Sequence, residues 1–150
     1  WSDPEDDGDP SIDSITLAGG SDYDLTLRFL NEMEEPAEDV TPELQDEDTE
    51  HQVFIDGNNV DRNTTEGATS SFLWDYNDLD ENGLPIGLAL SVTTSAAGTG
   101  DLTLLLRHLP SEDGSSIKTE GLAETFASEG ISAVGGDTDI SVTFPFEVTE

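Results

Sequence analysis

The chain has 150 residues, of which 35 are acidic and only four are Lys or Arg, for a formal net charge of −31 at pH 7. No basic patch is available to neutralise phosphates, which excludes a nucleic-acid partner and an anionic membrane surface. Cysteine is absent, so disulfides, thiolate metal sites and cysteine nucleophiles are excluded, and no apolar run approaches the ~20 residues that span a bilayer.

The charge also indicates the medium. Neighbouring surface carboxylates repel one another in dilute buffer, where the Debye length is about 10 Å at 0.1 M salt, whereas near 1 M salt it falls to roughly 3 Å. An acidic surface with a single Lys therefore predicts a protein adapted to high salt, with divalent cations as its counter-ions. Disorder, the alternative for so charged a chain, is disfavoured because the apolar residues alternate in regular runs.

Alternation of apolar and polar residues, the period of a half-buried strand, recurs along the chain. It predicts seven strands, over residues 12–17, 23–29, 51–55, 70–76, 86–94, 101–109 and 140–148. The small residues 95–100 predict a hairpin between the fifth and sixth strands. Pro145 takes an outward position in the last strand, which favours an edge or a bulge because proline cannot donate to a ladder. Seven strands are usual for an Ig-like antiparallel β-sandwich.

Two short helices are expected between the strands. Thr41 as N-cap, Pro42 at the first helical position and Glu43 in the first turn predict a helix over 42–49. A second helix is expected over 121–128, and residues 57–69 and 110–120 are expected to be exposed loops. A chain of this length is most simply one domain, 1–150, with a single apolar core.

One acidic loop carries part of a metal-binding pattern. Asp78, Asp80 and Asn82, followed by Gly83, match the first half of a calcium loop, D-x-D-x-N-G. Side-chain oxygens at alternate positions converge on one hard cation, and glycine permits the sharp turn between them. Ala89 stands where an EF-hand loop has its last glutamate, so backbone carbonyls, water or another segment must complete the site. A solvated acidic turn is the alternative.

Two further acidic segments carry weaker forms of this pattern. Asp3, Glu5 and Asp7 alternate before a glycine near the start of the chain. Asp137 and Asp139 follow a pair of glycines and are expected to form a turn into the last strand, with a cation site as the less favoured interpretation. Calcium is the cofactor that these loops predict, because carboxylate oxygens are its preferred ligands.

Two histidines fall at strand ends. His51 shares the inward register of Val53 and Ile55, and His108 continues the inward face of the sixth predicted strand. Glu50 adjoins His51 and Arg107 adjoins His108, which suggests a polar cluster at one end of the sandwich. Two histidines with carboxylates can hold zinc. The alternative is a pair of strand-end histidines with ordinary hydrogen bonds.

Enzyme signatures are missing from the sequence. It has no G-x-S-x-G elbow, P-loop, G-x-G-x-x-G or H-E-x-x-H motif. Carboxylates are numerous, yet no two are singled out with separated environments, as the acid pair of a glycosidase requires. We therefore expect a protein that is not an enzyme.

Seven short stretches together suggest a family. They are LNE at 30–32, PAEDVT at 36–41, EHQVF at 50–54, NGLPIG at 82–87, GTGDLT at 98–103, LRH at 106–108 and GGDTDISVTF at 135–144. In this order the chain resembles Bacteroidota surface lipoproteins of unassigned function, loosely labelled type 1 periplasmic-binding-domain proteins. That label names an α/β fold, whereas the alternation here is that of β-strands.

The resemblance implies an extracellular accessory or binding lipoprotein of the outer cell surface, with divalent cations and an outer-membrane receptor as partners. The family has a lipobox cysteine, a linker and a strand region upstream of the position where this sequence begins. The single domain is therefore expected to lack its N-terminal strand or to receive one from elsewhere. A sandwich lacking a strand exposes an edge, so the alternative is a self-assembling structural subunit of an extracellular fibre or coat, with identical subunits exchanging strands.

Overall fold

The computed structural model describes residues 2, 10–111 and 117–150 of the chain. The strands in these ranges are β1 (Ile15–Ala18), β2 (Asp22–Thr26), β3 (Leu30–Asn31), β4 (Glu38–Asp39), β5 (His51–Asn58), β6 (Val60–Arg62), β7 (Phe72–Tyr76), β8 (Ala89–Thr94), β9 (Gly98–His108) and β10 (Asp137–Thr149). The helices are α1 (Thr41–Asp46) and α2 (Leu122–Glu129), with short 3-10 turns at Asp48–Glu50 and Ile131–Ala133. No helix in the described ranges is long and apolar enough to cross a bilayer.

Two four-stranded sheets pack face to face as an Ig-like β-sandwich. Their strand orders are β1-β10-β9-β5 and β2-β8-β7-β6, and β3 pairs with β4 in a small separate ribbon. Most neighbours are antiparallel, as the sequence predicts. Two outer strands depart from that rule, since β1 runs parallel to β10 and β6 runs parallel to β7.

Inward side chains of both sheets form one apolar core. Leu102, Leu104 and Leu106 alternate along β9 and are buried, while the residues between them are more exposed. From the second sheet Phe72 meets Phe146 of β10, with ring centroids 5.5 Å apart. Burying one such side chain contributes about 1.5–3 kcal/mol, so the period-2 alternation of the sequence is also the main source of stability.

A second apolar cluster lies on the outer face of the first sheet. Phe54 of β5 points away from the main core and meets Phe126 of α2, with ring centroids 5.2 Å apart. Leu109 and Val134 complete the buried part of this cluster. The second helix begins at Leu122, one residue later than the sequence predicts, and covers strands that would otherwise expose apolar side chains.

The predicted hairpin between the fifth and sixth strands is wrong. The observed strands β8 and β9 belong to different sheets, because β8 pairs with β2 and β7, whereas β9 pairs with β10 and β5. Residues 95–97 therefore cross from one sheet to the other. A short loop of small residues fits both geometries, and closing the core requires the inward faces of β8 and β9 to oppose each other rather than lie side by side.

The first helix has a different N-cap and a different end from those that the sequence predicts. It runs from Thr41 to Asp46, with Val40 at the N-cap position, rather than over 42–49 with Thr41 as cap. The Thr41 hydroxyl instead accepts the backbone N–H of Phe29 at 2.8 Å. The side chain that the sequence assigned to the helix thus ties the helix to the chain after β2.

Part of the loop predicted over 57–69 is strand β6. Asn59, at a positive φ of 64°, accepts the backbone N–H of Ser71 at 2.8 Å and donates to the Ser71 hydroxyl at 2.9 Å. These bonds hold the chain beside β7 and allow the short parallel pairing. The strand is only three residues long, too short for alternation to reveal.

Pro145 lies at an edge, as its position in the sequence predicts. Strand β10 pairs with β9 along its length, whereas β1 begins to pair with it only at Phe146. Within the described residues, the stretch of β10 from Asp137 to Pro145 therefore has a strand neighbour on one side only. Proline is tolerated there because no ladder hydrogen bond is lost.

Candidate metal centre

Two histidines face each other at one end of the sandwich. His51 opens β5 and His108 closes β9, and the two residues are direct cross-strand partners in the antiparallel register. Directly opposed residues have Cβ atoms about 4.5–5.5 Å apart. The imidazole rings accordingly stack, with centroids 4.8 Å apart and planes inclined by 8°. The sequence placed both histidines on the inward face, and the register makes them neighbours.

The carboxylate of Asp139, on the neighbouring strand β10, lies close to the two histidines. Asp137 is the partner of His108 in β10, and the register then shifts between Thr138 and Ile140, which makes Asp139 the extra residue of a β-bulge. Bulges re-aim side chains relative to the regular alternation. Here the Oδ2 atom of Asp139 lies 3.6 Å from Nε2 of His51.

The ring of His51 is oriented by the turn before it. Its Nδ1 atom lies 3.2 Å from the backbone carbonyl oxygen of Glu47. A carbonyl only accepts, so Nδ1 carries a proton in this contact, and Nε2 faces Asp139. The side chain of His51 is 7% exposed. This ring is therefore held in one direction.

His108 has a looser environment. Its Nε2 atom lies 3.8 Å from an Oε2 atom of Glu50, and its side chain is 39% exposed. This distance and the 3.6 Å contact of His51 with Asp139 are both longer than an N–H···O hydrogen bond, which spans about 2.7–3.2 Å. The imidazole and carboxylate groups are thus assembled without being satisfied by one another.

Arg107 fixes the segment that presents Asp139. Its guanidinium is buried and donates from Nη2 to the carbonyl oxygens of Val134, Gly135 and Gly136, at 3.0, 2.6 and 2.6 Å. From Nη1 it donates to the hydroxyl of Thr138 at 2.6 Å. Four bonds from one side chain hold the start of β10, and with it the bulge.

The predicted calcium loop has protein partners for its carboxylates. Asp78 accepts the backbone N–H groups of Gly87, Leu88 and Ala89 at 2.8, 2.8 and 3.0 Å. Its two oxygens therefore stabilise the entry into β8. The sharp turn expected at Gly83 is present, with a positive φ of 79°.

Asp80 is held from two directions. Its Oδ1 atom accepts the backbone N–H groups of Asn82 and Leu84, both at 2.9 Å. Its Oδ2 atom lies 2.9 Å from the ammonium nitrogen of Lys118, and both side chains are fully buried. A lysine therefore stands beside the carboxylate for which the sequence predicted calcium, and binding of calcium by this loop stays a prediction.

Burial and pairing act in opposite directions on this ion pair. Burial alone would raise the pKa of Asp80, but the N–H of Leu84, the ammonium of Lys118 and the N–H of Asn82 together hold it below the ordinary value. Burial lowers the pKa of Lys118 by more than the neighbouring carboxylates raise it. The charged pair is retained because each partner would otherwise be an isolated buried charge.

The sequence predicted some of the candidate metal-binding residues and missed others. Asp3, Glu5 and Asp7 lie outside the described residues, although Ser2 and Ser11, on either side of them, pair with each other. The turn expected at Asp137 and Asp139 is wrong, because both residues lie in β10. The sequence offered a cation site there as the less favoured interpretation, but not beside the histidines, since alternation cannot show a bulge. The role of Lys118 was missed, and its being the only lysine of the chain was the available signal.

The comparisons with known proteins yield little. No family model matches the chain, and no curated protein matches it. Among solved structures it is similar to SSP-19, an MSP-domain protein like family member of Caenorhabditis elegans, at 14% identity and a TM-score of 0.37, covering 91% of this chain and 94% of that one. A superposition this loose transfers no function.

Proposed function

We propose that this chain is a non-enzymatic β-sandwich module of the cell exterior, adapted to concentrated salt, that acts as an accessory or binding unit. The observation that carries the proposal is that each of its four basic side chains is engaged with a partner in the same chain. With these engaged, the net charge of −31 has to be balanced by cations from the medium.

Each base has a partner within the fold. Arg28 pairs with Asp39 at 2.7 Å, and Arg62 pairs with Asp75 and Glu124 at 2.8 and 2.6 Å. The other two are Arg107, which donates to backbone carbonyls, and Lys118, which pairs with Asp80. The outward residues of the strands are mainly acidic or hydroxylic, which suits hydration in brine better than binding to an anionic surface.

The experiment is thermal unfolding over a range of sodium chloride from about 0.1 to 3 M. The melting temperature is expected to rise steeply up to about 1 M, where screening is nearly complete, and more gently above it. A variant that removes three exposed charges, Asp24→Asn with Asp101→Asn and Glu147→Gln, is the control, and its melting temperature is expected to depend less on salt. A melting temperature independent of salt would contradict the proposal.

Calcium, a receptor at the outer surface and lipid anchoring are finer parts of this proposal. They rest on the resemblance to surface lipoproteins and on the acidic loops. Calcium is proposed as a counter-ion of the acidic surface, and its binding at Asp78, Asp80 and Asn82 is tested separately below. Detection of the protein on intact cells by surface proteolysis tests the location.

A second candidate function is a structural subunit that adds strands between copies. The edge of β10 favours it, because the stretch from Asp137 to Pro145 has a strand neighbour on one side only among the described residues. This edge lies beside a mainly apolar groove of about 180 Å³, whose lining includes Leu27, Phe29, Ile140, Val142 and Phe144 together with Arg28 and Glu32. A strand from an identical chain can pair with such an edge. Sedimentation of concentrated protein in salt and calcium tests it, and a strict monomer would rule it out.

A further inference from the structure

We propose that His51, His108 and Asp139 form a binding site for a first-row divalent transition metal ion of the zinc class. The ligand atoms are two imidazole nitrogens and one carboxylate oxygen, all within 4.8 Å of one another. Glu50, whose carboxylate lies 3.8 Å from Nε2 of His108, or a water molecule completes a four-coordinate site. This inference goes beyond the proposed function, which requires no such ion.

The spacing of the ligand atoms fits coordination after a small closure. Bonds of about 2.0–2.2 Å in a tetrahedral site place neighbouring ligand atoms roughly 3.3–3.6 Å apart. His51 and Asp139 are already 3.6 Å apart. The remaining side chain, His108, is 39% exposed and can turn by the further distance without disturbing the core.

Hydrogen bonds and strand pairing hold the backbone and one imidazole ring of the proposed site in place. His51 donates from Nδ1 to the carbonyl oxygen of Glu47, a second contact of the kind that orients metal-binding imidazoles. All three ligands lie on β5, β9 and β10, which are adjacent in one sheet. Arg107 anchors the start of β10 through three carbonyl groups. The site is thus built on strands rather than on loops.

The nature of the ligands selects the metal. Imidazole nitrogen suits zinc, copper and nickel, whereas calcium and magnesium prefer oxygen ligands alone. A cation-rich medium saturates surface carboxylates with hard cations, so only a site with nitrogen ligands retains selectivity there. The negative field of the chain raises the local concentration of any divalent cation.

An internally bonded histidine pair is the competing account. It accounts for the contact of His51 Nδ1 with the carbonyl oxygen of Glu47 at 3.2 Å. It does not account for the carboxylates, because those of Glu47 and Asp139 lie 3.8 and 3.6 Å from His51 and that of Glu50 lies 3.8 Å from His108, beyond hydrogen-bond distance. The stacked rings also bring two groups together that would repel if both were protonated. A shared cation resolves both features, since it draws nitrogen and oxygen atoms onto one centre.

The experiment uses chelator-treated full chain in high salt with excess calcium, which occupies the non-selective carboxylates. Zinc affinity is measured by competition with a chromophoric chelator, and cobalt absorption in the visible reports the coordination geometry. We expect one calcium-resistant site, a four-coordinate cobalt spectrum, and a melting temperature that rises with zinc by mass action. Absence of a calcium-resistant site would overturn the proposal.

Variants distinguish the site from general surface binding. His108→Ala and Asp139→Asn are each expected to weaken zinc binding at least about tenfold. Glu147→Gln removes the same charge from an exposed position near the other end of the same strand and is the control, with less than about a threefold change expected. His108→Gln serves if the alanine variant does not fold. Equal loss in Asp139→Asn and Glu147→Gln, or no loss in either histidine variant, would refute the site.

Discussion

The ammonium nitrogen of Lys118 lies 2.9 Å from a carboxylate oxygen of Asp80, and neither side chain has any exposed surface. The lysine also donates to the backbone carbonyl of Asp48 at 2.7 Å. It therefore joins three segments that are distant in sequence: the loop after β7, the turn before β5 and the chain that leads into α2.

Replacing Lys118 with Met is expected to destabilise the fold by about 3–5 kcal/mol, because it leaves the Asp80 carboxylate buried without its cation. Asp80→Asn in the same chain should recover part of that loss, since an amide needs no counter-charge. Urea unfolding of both single variants and the double variant in high salt measures the coupling. A loss below about 1 kcal/mol for Lys118→Met would show that the pair contributes little.

Acid should remove the contribution of Asp80. The pKa of this carboxyl is below its ordinary value in the folded chain, whereas in the unfolded chain it is about 3.9. Its stabilisation is therefore complete above that value and is lost as the pH falls through the folded-state pKa.

The free-energy difference between the native sequence and Asp80→Asn should accordingly stay constant from about pH 8 to pH 5 and shrink below about pH 4. Urea titrations of both proteins at fixed high salt measure it. High salt is needed because protonation of the other acidic groups changes stability as well. A difference that already disappears near pH 6 would contradict this assignment.

The loop of Asp78, Asp80 and Asn82 should contribute almost nothing to any effect of calcium on the melting temperature at fixed high salt. The oxygens of Asp80 already accept two N–H groups and face Lys118, and those of Asp78 accept three N–H groups. Unfolding is compared in excess chelator and in millimolar calcium. A rise with calcium that is lost in Asp80→Ala would establish the loop as the calcium site that the sequence predicts.

Arg107→Met should destabilise the chain by about 2–4 kcal/mol, because three carbonyl groups just before β10 lose a charged donor. Arg107→Lys keeps the charge with fewer, differently placed donors and should cost less. Urea unfolding gives the order of the two variants. An equal loss in both would indicate that the planar guanidinium is essential, and a loss in neither would indicate that this network is not stabilising.

Much of the sandwich was predictable because alternation is a local property. Tyr23 and Leu25 in β2, or Leu102 and Leu104 in β9, each reveal a strand and its inward face without reference to any other strand. The second helix was also located to within one residue, because its period and flanking glycines are local. Each of these features depends on a few consecutive residues.

Which strands pair with one another was not predictable from local sequence. Residues 95–97 connect two sheets where a hairpin was expected, and β6 adds itself to β7 through Asn59 and Ser71. Both outcomes depend on which strands pair at the neighbouring sheet edges. These pairings involve residues that are far apart in the sequence, so no local pattern shows them.

Local sequence patterns are enough to assign the class of the protein: strands with one apolar face, a strongly acidic exterior, and histidines on the inward register at two strand ends. The assembled fold is needed to see that His51 and His108 are opposed, that a bulge brings Asp139 to them, and that Lys118 stands beside Asp80. Which face a side chain takes follows from the period of its own strand, whereas which side chains meet follows from register and sheet order, and these are set by packing of the whole chain.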